Sequence, residues 1–471
     1  MTASAPREGS STTTRTILQL AWPAAASFLL NNAYRINDQF WLQGLGEPAQ
    51  AAVGAAMFVL IMSFALAFLA AGGALSLVAR AVGAGDTERM HDVIRHTLLL
   101  AVGFGSAVTL GSFVFVDPLV SLIGLEGVAA ENGSAYLGTL FGGAWIMYLV
   151  PALDNVFIGR GRTWIPMALN VVAIALNFVA NPLLIYGRGA AEALPGWWMA
   201  DLITTTSEWL GIEGYGMHGA ALATVGSRAT TIVMGLAILR FGFGTRLLPK
   251  GPPVLARFRE LLSVSAPASV SIALYAGVYW LLLGLVLARQ PLAAIAALGI
   301  GFQVFEGISY PLFLGLGMAC ASLVGRHLGA HDPDGALEVV AASRRVARVV
   351  SLLIAAAFLI GAEAGASLFT EDPDVMREVV NYVRVLAISQ YWVAMEAVNE
   401  RVLLGAGLTT RIPWISGFGN AARVPLGFLF AVTLGWGPTG LWIAIVMTSI
   451  FKGWAFWREV ERGAWLERLG R

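Results

Sequence analysis

The sequence has 471 residues, of which 57% are hydrophobic and only 13% are charged. Soluble domains carry roughly 25% charged residues, so a soluble chain this apolar could not cover its surface, and the composition indicates a membrane protein. The net charge of +1 gives no reason to expect nucleic acid as a partner, and the single cysteine excludes an internal disulfide.

Twelve segments are long and apolar enough to cross a bilayer as helices, which takes about 20 residues each. They lack the period-2 alternation of membrane strands. The sequence therefore predicts an all-α fold of twelve transmembrane helices, with the first span retained because no cleavable signal precedes it. In chain order, the predicted spans cover residues 16–42, 49–79, 94–116, 134–158, 164–186, 216–241, 261–288, 292–323, 346–369, 384–405, 412–434 and 438–457.

Lysine and arginine residues are distributed unevenly between alternate connections. If the N-terminus is cytoplasmic, the cytoplasmic segments hold 23 of the 30 basic residues, the opposite side holds four and the spans hold three. Cytoplasmic loops of membrane proteins carry this excess. We therefore expect a multi-pass protein of the inner (plasma) membrane with both termini in the cytoplasm.

The two halves of the chain resemble each other at a nearly constant offset of about 246 residues. Each half has six spans, so both enter the membrane from the same side, and we expect two lobes related by a pseudo-two-fold axis along the membrane normal. The predicted parts are a tail (1–15), the first lobe (16–242), a cytoplasmic linker (243–260), the second lobe (261–457) and a tail (458–471). The matching segments are 18–24 with 262–268, 77–86 with 323–332, and 159–161 with 405–407.

Four motifs in these halves carry a family resemblance. They are Asp38–Trp41 followed by 44–46, Leu77–Gly85, Asn177–Gly187, and Gly315–Ala319 running into 323–330. With them the chain resembles the multidrug and toxic compound extrusion (MATE) family, and its DinF-like branch in particular, from about residue 17 to 457. The resemblance implies a monomer that exports organic cations and drugs in exchange for protons or sodium ions. The resemblance also implies that no ATP is used, and the chain has no Gly-rich loop ending in Gly-Lys-Ser/Thr.

The first span places Asn31, Arg35 and Asp38 at positions i, i+4 and i+7, on one helical face. A charged side chain at mid-helix costs about 2.5–3.5 kcal/mol, so such residues rarely face lipid. Asp38 either binds the coupling cation or pairs permanently with Arg35. The resemblance favours coupling, because Asp38 occupies the position of the first-helix acid that the DinF-like branch uses.

The fifth span carries Asn170, Asn177 and Asn181 on one face, followed by Pro182. The proline leaves a backbone carbonyl without its helical donor, and that carbonyl could bind a cation. Hydrogen bonding between helices is the alternative role for the three amides. Similar family members often have Asp where this chain has Asn181, which leaves Asp38 as the titratable residue of the first lobe.

The second lobe has acids of its own. Glu306 lies in the eighth span, where the family often has an acid, and Glu396 and Glu400 lie one turn apart in the tenth span. Two neighbouring carboxylates repel in a low dielectric, so we expect a proton or a basic partner there, with Arg423 and Asn420 as candidates. Whether these residues couple or form a structural network stays open. The seventh span lacks the acid that sodium-coupled family members use.

Aromatic side chains within the spans are candidates to line a substrate cavity, because aromatic faces attract cations. Packing of the lobes is the alternative role. The candidates are Tyr34, Trp41, Tyr275 and Tyr279.

Asp154 lies near the cytoplasmic end of the fourth span, close in sequence to Arg160 and Arg162. We expect it to form a surface ion pair or a helix cap there.

These observations predict an antiporter that exports amphipathic cations by alternating access, with a small-molecule substrate, a coupling cation and the bilayer as partners. Protons are preferred because one acid lies among amides, although amide oxygens also suit sodium. No cofactor or metal site is expected. The alternatives are a flippase for a lipid-linked saccharide or precursor, a membrane-embedded enzyme, and a receptor or scaffold that transports nothing.

Overall fold

The structure is a computed structural model that describes residues 10–247 and 252–467. Within these two ranges the regular structure is helical and contains no strand. Residues 1–9 and 468–471 of the predicted tails, and residues 248–251 of the predicted linker, lie outside the described residues.

The first half forms six helical spans. Two short helices, Ala190–Ala193 and Ala200–Leu210, fill the connection between the fifth and sixth spans. The fourth span is broken into three consecutive helices. The spans are Ser10–Leu42; Glu47–Gly83; Thr87–Leu122; Gly127–Gly142 with Ala144–Met147 and Leu149–Gly159; Trp164–Ile185; and Gly216–Ala237 continued by the π-helix Ile238–Gly242.

The second half repeats this order, so each of the twelve predicted spans coincides with a helix or a run of helices. The spans are Leu255–Leu285; Leu292–Ile300 with the π-helix Gly301–Glu306 and Gly307–Gly329; Pro333–Ala366; Pro373–Ala387 with Gln390–Gly405; Ile412–Ala421 with Arg423–Gly427 and the π-helix Phe428–Thr433; and Gly437–Glu461.

Several spans begin earlier than predicted, and the third and the ninth show why. The third was expected from residue 94 and starts at 87, and the ninth was expected from 346 and starts at 333. The reason is an N-terminal cap in each case. The Asp86 carboxylate accepts the Arg89 backbone N–H at 2.9 Å, and Asp332 accepts that of Gly335 at 2.9 Å. Such caps satisfy free backbone donors and extend both helices beyond the apolar segment.

Nine helices in the described ranges are long and apolar enough to cross a membrane, or ten if the bent fourth span is counted as one. The first and tenth spans fall outside this set. Asp38 lies in the first of them, and Glu396 and Glu400 lie in the other. The least apolar spans are therefore those that hold several of the candidate site residues.

The two halves pack against each other along four spans. The first span packs on the eighth, and the second packs on the seventh and the eighth. Small residues permit close backbone approach there, as is usual for membrane helices. A Cβ atom added to Gly315 would lie 2.4 Å from the backbone nitrogen of Ala25, and one added to Gly73 would lie 2.7 Å from the carbonyl oxygen of Leu261.

Candidate functional site

Asp38 is buried inside the first lobe, with 5% of its surface exposed. Its carboxylate accepts a hydrogen bond from Asn181 Nδ2 at 2.8 Å and another from Thr224 Oγ1 at 3.1 Å. The acid of the first span is thus held by the fifth and sixth spans. In the described part of the chain Asp38 forms no ion pair.

The predicted alternative that Asp38 pairs with Arg35 is wrong. Arg35 is exposed and donates to the Asn32 side-chain oxygen at 2.7 Å. Residues three apart are neighbours on a helix surface, but the Arg35 guanidinium is directed one turn back to Asn32 and away from Asp38. Asp38 is held by neutral groups alone.

The amides of the fifth span form a chain of hydrogen bonds behind Asp38. Asn177 Oδ1 accepts from Asn181 Nδ2 at 3.2 Å and from Asn37 Nδ2 at 2.7 Å. Asn37 Oδ1 in turn accepts from Trp41 Nε1 at 3.1 Å. Asn177 Nδ2 and Asn181 Oδ1 are buried and have no hydrogen-bond partner among the described residues. Sequence reasoning missed Asn37, although its place four residues before Trp41 was a usable signal.

Arg228 of the sixth span is a buried guanidinium that the sequence left without a partner. Its Nη1 donates to Asn170 Oδ1 at 2.5 Å and its Nη2 donates to Asn31 Oδ1 at 2.6 Å. Its Cζ lies 4.4 Å from the Tyr34 ring centroid, a cation–π distance. Asn170 also donates to Ser27 Oγ at 2.6 Å. The first and fifth spans thus hold the cation of the sixth span through amide oxygens and an aromatic face.

Tyr34 joins the surroundings of Arg228 to those of Asp38. Its hydroxyl bonds the Ser227 hydroxyl and donates to the Thr224 carbonyl oxygen at 3.3 Å. Thr224 is the residue whose hydroxyl reaches Asp38. A continuous polar network therefore runs through the lobe, along a face of the first span formed by residues 27, 31, 34, 38 and 41.

The predicted surface ion pair of Asp154 is wrong. Asp154 is half-buried, and within the described ranges it pairs with neither Arg160 nor Arg162. The fourth span ends at Gly159, and Arg160 then turns towards the segment after the sixth span. There it donates to Thr245 Oγ1 at 3.1 Å.

In the second lobe, each of the two candidate acids of the tenth span has a basic partner. Lys452 Nζ lies 2.8 Å from Glu396 Oε1, and Arg401 Nη1 lies 2.6 Å from Glu400 Oε1. The predicted partner Arg423 is wrong, because it contacts neither acid. The count of basic residues placed Lys452 on the cytoplasmic side, but it lies buried inside the twelfth span, with 5% of its surface exposed.

Arg423 instead bonds neutral hydroxyl groups. It donates to Tyr279 at 3.1 Å, to Thr448 at 3.1 Å and to Ser449 at 3.2 Å. The other expected partner, Asn420, is buried with its side-chain oxygen unpaired within the described chain. Hydroxyl groups can compensate a buried guanidinium only in part, so the eleventh span holds a cation without a carboxylate in contact.

Glu306 accepts a hydrogen bond from the Tyr382 hydroxyl. Tyr275 is half-buried and its ring centroid lies 4.7 Å from that of Tyr279, which is buried. Trp41 is 1% exposed and packs edge-to-face on neighbouring rings, among them Trp197 at 4.8 Å. Tyr275 therefore reaches an accessible surface, whereas Trp41 is enclosed by packing.

A cavity of about 630 Å³ opens between the eleventh and twelfth spans, away from Asp38. Its lining is almost wholly apolar and includes Phe418, Pro425, Met447 and Phe451. Among the described residues, no group of three or more His, Cys, Asp or Glu side chains could hold a metal ion. The polar chemistry therefore lies inside the two lobes and not in this cavity.

The MatE family model matches this chain twice, over residues 23–183 and 267–429. The chain belongs to the MatE family. The two matches begin 244 residues apart and end 246 apart, which confirms the internal repeat. The family resemblance is confirmed as well, and the chain is a membrane transporter and not an enzyme.

Individual relatives of known name align with this chain over nearly its whole length. A probable multidrug resistance protein NorM of Thermotoga maritima is 24% identical over 456 residues, covering 95% of this chain and 92% of the relative. A FAD transporter of Shewanella oneidensis is 23% identical and covers 95% and 94%, respectively. The solved outward-facing conformation of a multidrug resistance MATE family transporter superposes with a TM-score of 0.85 at 21% identity, covering 99% of this chain and all of that one. The predicted fold of twelve transmembrane helices in two lobes is thereby confirmed.

Proposed function

We propose that this MatE transporter exports amphipathic, cationic small molecules by antiport, and that it couples export to protons that bind Asp38. The observation that carries the proposal is the buried Asp38 carboxylate, held by an amide and a hydroxyl group with no basic partner in contact. Such a group can accept a proton without leaving an opposite charge unpaired.

Protonation of Asp38 would reverse the direction of one of its hydrogen bonds. An ionised carboxylate only accepts hydrogen bonds, whereas a protonated one also donates. Asn181 Oδ1 has no partner at present among the described residues and is attached to the amide that contacts Asp38. Rotation of that amide would offer Oδ1 to the new O–H donor. Asn181 would then respond to the charge of Asp38 while remaining neutral itself.

Sodium is disfavoured by the occupancy of the amide oxygens. Hard cations such as Na⁺ need several oxygen ligands. Asn31 Oδ1 and Asn170 Oδ1 already accept from Arg228, and Asn177 Oδ1 accepts from two amides. Asn181 Oδ1 is the amide oxygen beside Asp38 that is left over. Arg228 thus occupies, as a tethered cation, the oxygens that an incoming sodium ion would require.

The preference for cationic drugs rests on two observations. The Thermotoga relative is named as a multidrug resistance protein. The accessible part of the second lobe offers the ring of Tyr275, and aromatic faces attract organic cations. FAD, the substrate named for the Shewanella relative, is an anion and therefore a useful comparison in a transport assay.

A flippase for a lipid-linked saccharide is the weaker alternative. It would need basic side chains free to hold a pyrophosphate group. Arg228 is engaged by two amides, and Arg423 by three hydroxyl groups. Of the three arginines expected inside the spans, Arg35 is the exposed one.

Transport by purified protein in liposomes tests the proposal directly. A fluorescent cationic dye is loaded, and its export is followed under an imposed pH gradient or, separately, an imposed sodium gradient. We expect export under the pH gradient alone, and Asp38→Asn should reduce it to the level of empty liposomes because the amide cannot bind a proton.

Asp117→Asn is the matched control, because Asp117 is an exposed acid that bonds Ser134 at the surface. It should export the dye at the parent rate. Undiminished export by Asp38→Asn would overturn the role of Asp38. Export driven only by sodium would overturn proton coupling, and export of FAD without dye would overturn the substrate class.

A further inference from the structure

The cytoplasmic ends of the second and eighth spans meet in a reciprocal contact. A Cβ atom added to Gly83 would lie 1.9 Å from the carbonyl oxygen of Arg326, and one added to Gly329 would lie 2.0 Å from that of Arg80. Gly83 and Gly329 are 246 residues apart, and so are Arg80 and Arg326. The same surface patch of each repeat therefore touches its counterpart, with the two backbones in direct contact.

About one helical turn further into the membrane, hydrogen bonds join the two lobes. Ser76 Oγ donates to the Gly405 carbonyl oxygen at 2.9 Å, and Ser322 Oγ donates to that of Ile158 at 2.6 Å. Ser76 and Ser322 are again 246 residues apart, and both are fully buried. Each serine of one lobe thus binds the end of a span in the other lobe.

Each arginine side chain also crosses to a loop of the opposite lobe. The guanidinium of Arg326 fills the space beside Gly161. A Cβ atom added to Gly161 would lie 2.1 Å from Arg326 Nη2. Arg80 Nη1 lies 3.7 Å from an added Cβ at Gly407. Gly161 and Gly407 both have positive φ angles, +63° and +69°, so these loops combine a glycine conformation with a close approach.

The opposite side of the interface is open. The outermost hydrogen bonds described between the lobes are those of Asn32 Nδ2 with the carbonyl oxygens of Gly307 at 3.3 Å and Gln303 at 3.5 Å. Further out on the first span, Ile36 and Phe40 are 54% and 49% exposed. The excess of basic residues assigns the sealed side to the cytoplasm.

We propose that Arg80 with Gly83, and Arg326 with Gly329, form the inner gate of the transport pathway. The gate is closed in this structure, and the two pairs separate together when the lobes rock to admit substrate from the cytoplasm. Backbone contact through glycine makes the gate intolerant of any side chain at positions 83 and 329. The proposal requires that the chain transports but does not depend on the coupling ion or on Asp38.

The first test props the gate open. Ser76→Cys is introduced as a reporter in a Cys320→Ala background, and its reaction with a membrane-impermeant maleimide is timed from the cytoplasmic side of inside-out vesicles. Gly83→Ala and Gly329→Ala should each raise the labelling rate about tenfold, because overpacking shifts an equilibrium by a factor of that order.

Matched controls come from the same spans. A Cβ atom added to Gly54 in the second span, or to Gly299 in the eighth, meets nothing within 4 Å. Gly54→Ala and Gly299→Ala should label at the parent rate. If Gly83→Ala and Gly329→Ala, eluting as monodisperse protein, also label at the parent rate, the gate is wrongly placed.

The second test locks the gate shut. The Ala79 Cβ lies 2.8 Å from a Cβ built at Gly325, so cysteines at both positions are close enough to be oxidised to a disulfide after a small shift. Oxidation of Ala79→Cys/Gly325→Cys should stop dye export, and reduction should restore it, while oxidation should not change the export by either single-cysteine variant. The proposal would be overturned if the fully cross-linked protein exported the dye as fast as the same protein with its disulfide reduced.

Discussion

In the first lobe, Asp38 is held by Asn181 and Thr224 and meets no base, whereas in the second lobe Glu396 and Glu400 each contact a basic side chain. The arginines differ in the same way. Arg228 bonds two amide oxygens, and Arg423 bonds three hydroxyl groups. The lobes share their architecture through the repeat, but their buried charges are compensated by different chemistry.

This difference decides where a proton can be gained at low cost. Protonation of Glu396 would leave the buried charge of Lys452 uncompensated, and breaking a buried pair is strongly unfavourable. Protonation of Asp38 removes a charge that has no partner in contact and leaves neutral hydrogen bonds. The first lobe is therefore suited to titration, and the second lobe to a fixed ion-pair network.

The largest effect is expected from breaking that network. Lys452→Ala leaves the Glu396 carboxylate buried without its partner, so we expect a loss of about 3 kcal/mol in stability. The midpoint of thermal unfolding in detergent measures it. Glu396→Gln/Lys452→Met removes both charges and should recover most of the loss.

If the double variant is no more stable than Lys452→Ala, the pair is not what stabilises the second lobe. A parent-like unfolding midpoint for Lys452→Ala would likewise contradict an ion pair that matters energetically, and the contrast between the lobes would disappear.

A smaller effect is expected from removing the tethered cation of the first lobe. Arg228→Met frees the side-chain oxygens of Asn31 and Asn170, and unpaired buried acceptors cost about 2 kcal/mol. Those oxygens then become available to sodium. We expect the unfolding midpoint of this variant to rise when NaCl replaces choline chloride, since a ligand that binds the folded state stabilises it.

The parent protein should show no such difference between the two salts. Equal midpoints for Arg228→Met in NaCl and in choline chloride would contradict the idea that Arg228 excludes sodium from the first lobe.

The smallest loss of stability is expected from removing the two equivalent helix caps, Asp86 and Asp332. Asp86→Ala should cost about 1 kcal/mol, the usual value of an N-cap. Asp332→Ala should cost somewhat more, because Asp332 also bonds His327 Nδ1 at 2.8 Å. Unfolding midpoints of the two variants measure the order, and a larger loss for Asp86→Ala would contradict it.

The cap of the second lobe also has a pH dependence of known sign. The Gly335 backbone N–H, and then His327, hold the pKa of Asp332 below its ordinary value. Its contribution to stability is complete above the ordinary pKa of about 3.9 and is lost as the pH falls through the lower folded value. The difference between parent and Asp332→Ala should therefore shrink only in acid below that range.

Much of the fold could be predicted because it depends on properties of continuous segments, such as their length and apolar content. Apolar length identified the spans, and the 246-residue offset identified the repeat. The helical period also placed Asn170, Asn177 and Asn181 on one face, and the structure brings all three into the same network.

Partners from distant spans could not be predicted in the same way. Arg35 was close to Asp38 in sequence, yet it bonds Asn32 instead, whereas Arg228 enters the network from 190 residues further along the chain. Lys452 was counted among the cytoplasmic basic residues because it lies near the end of the last apolar segment. Side-chain pairing between spans depends on how the spans pack against each other, and the sequence of one span does not show that packing.

The reciprocal contact of Arg80 with Gly329 and of Arg326 with Gly83 has the form of an isologous interface, in which one patch binds its own copy about a two-fold axis. Two separate six-span chains could make that contact without any link between them. A homodimeric ancestor could therefore have possessed the sealed end of the molecule before its gene was duplicated and fused. The different charges inside the two lobes are then what the fused copies acquired once they were free to diverge.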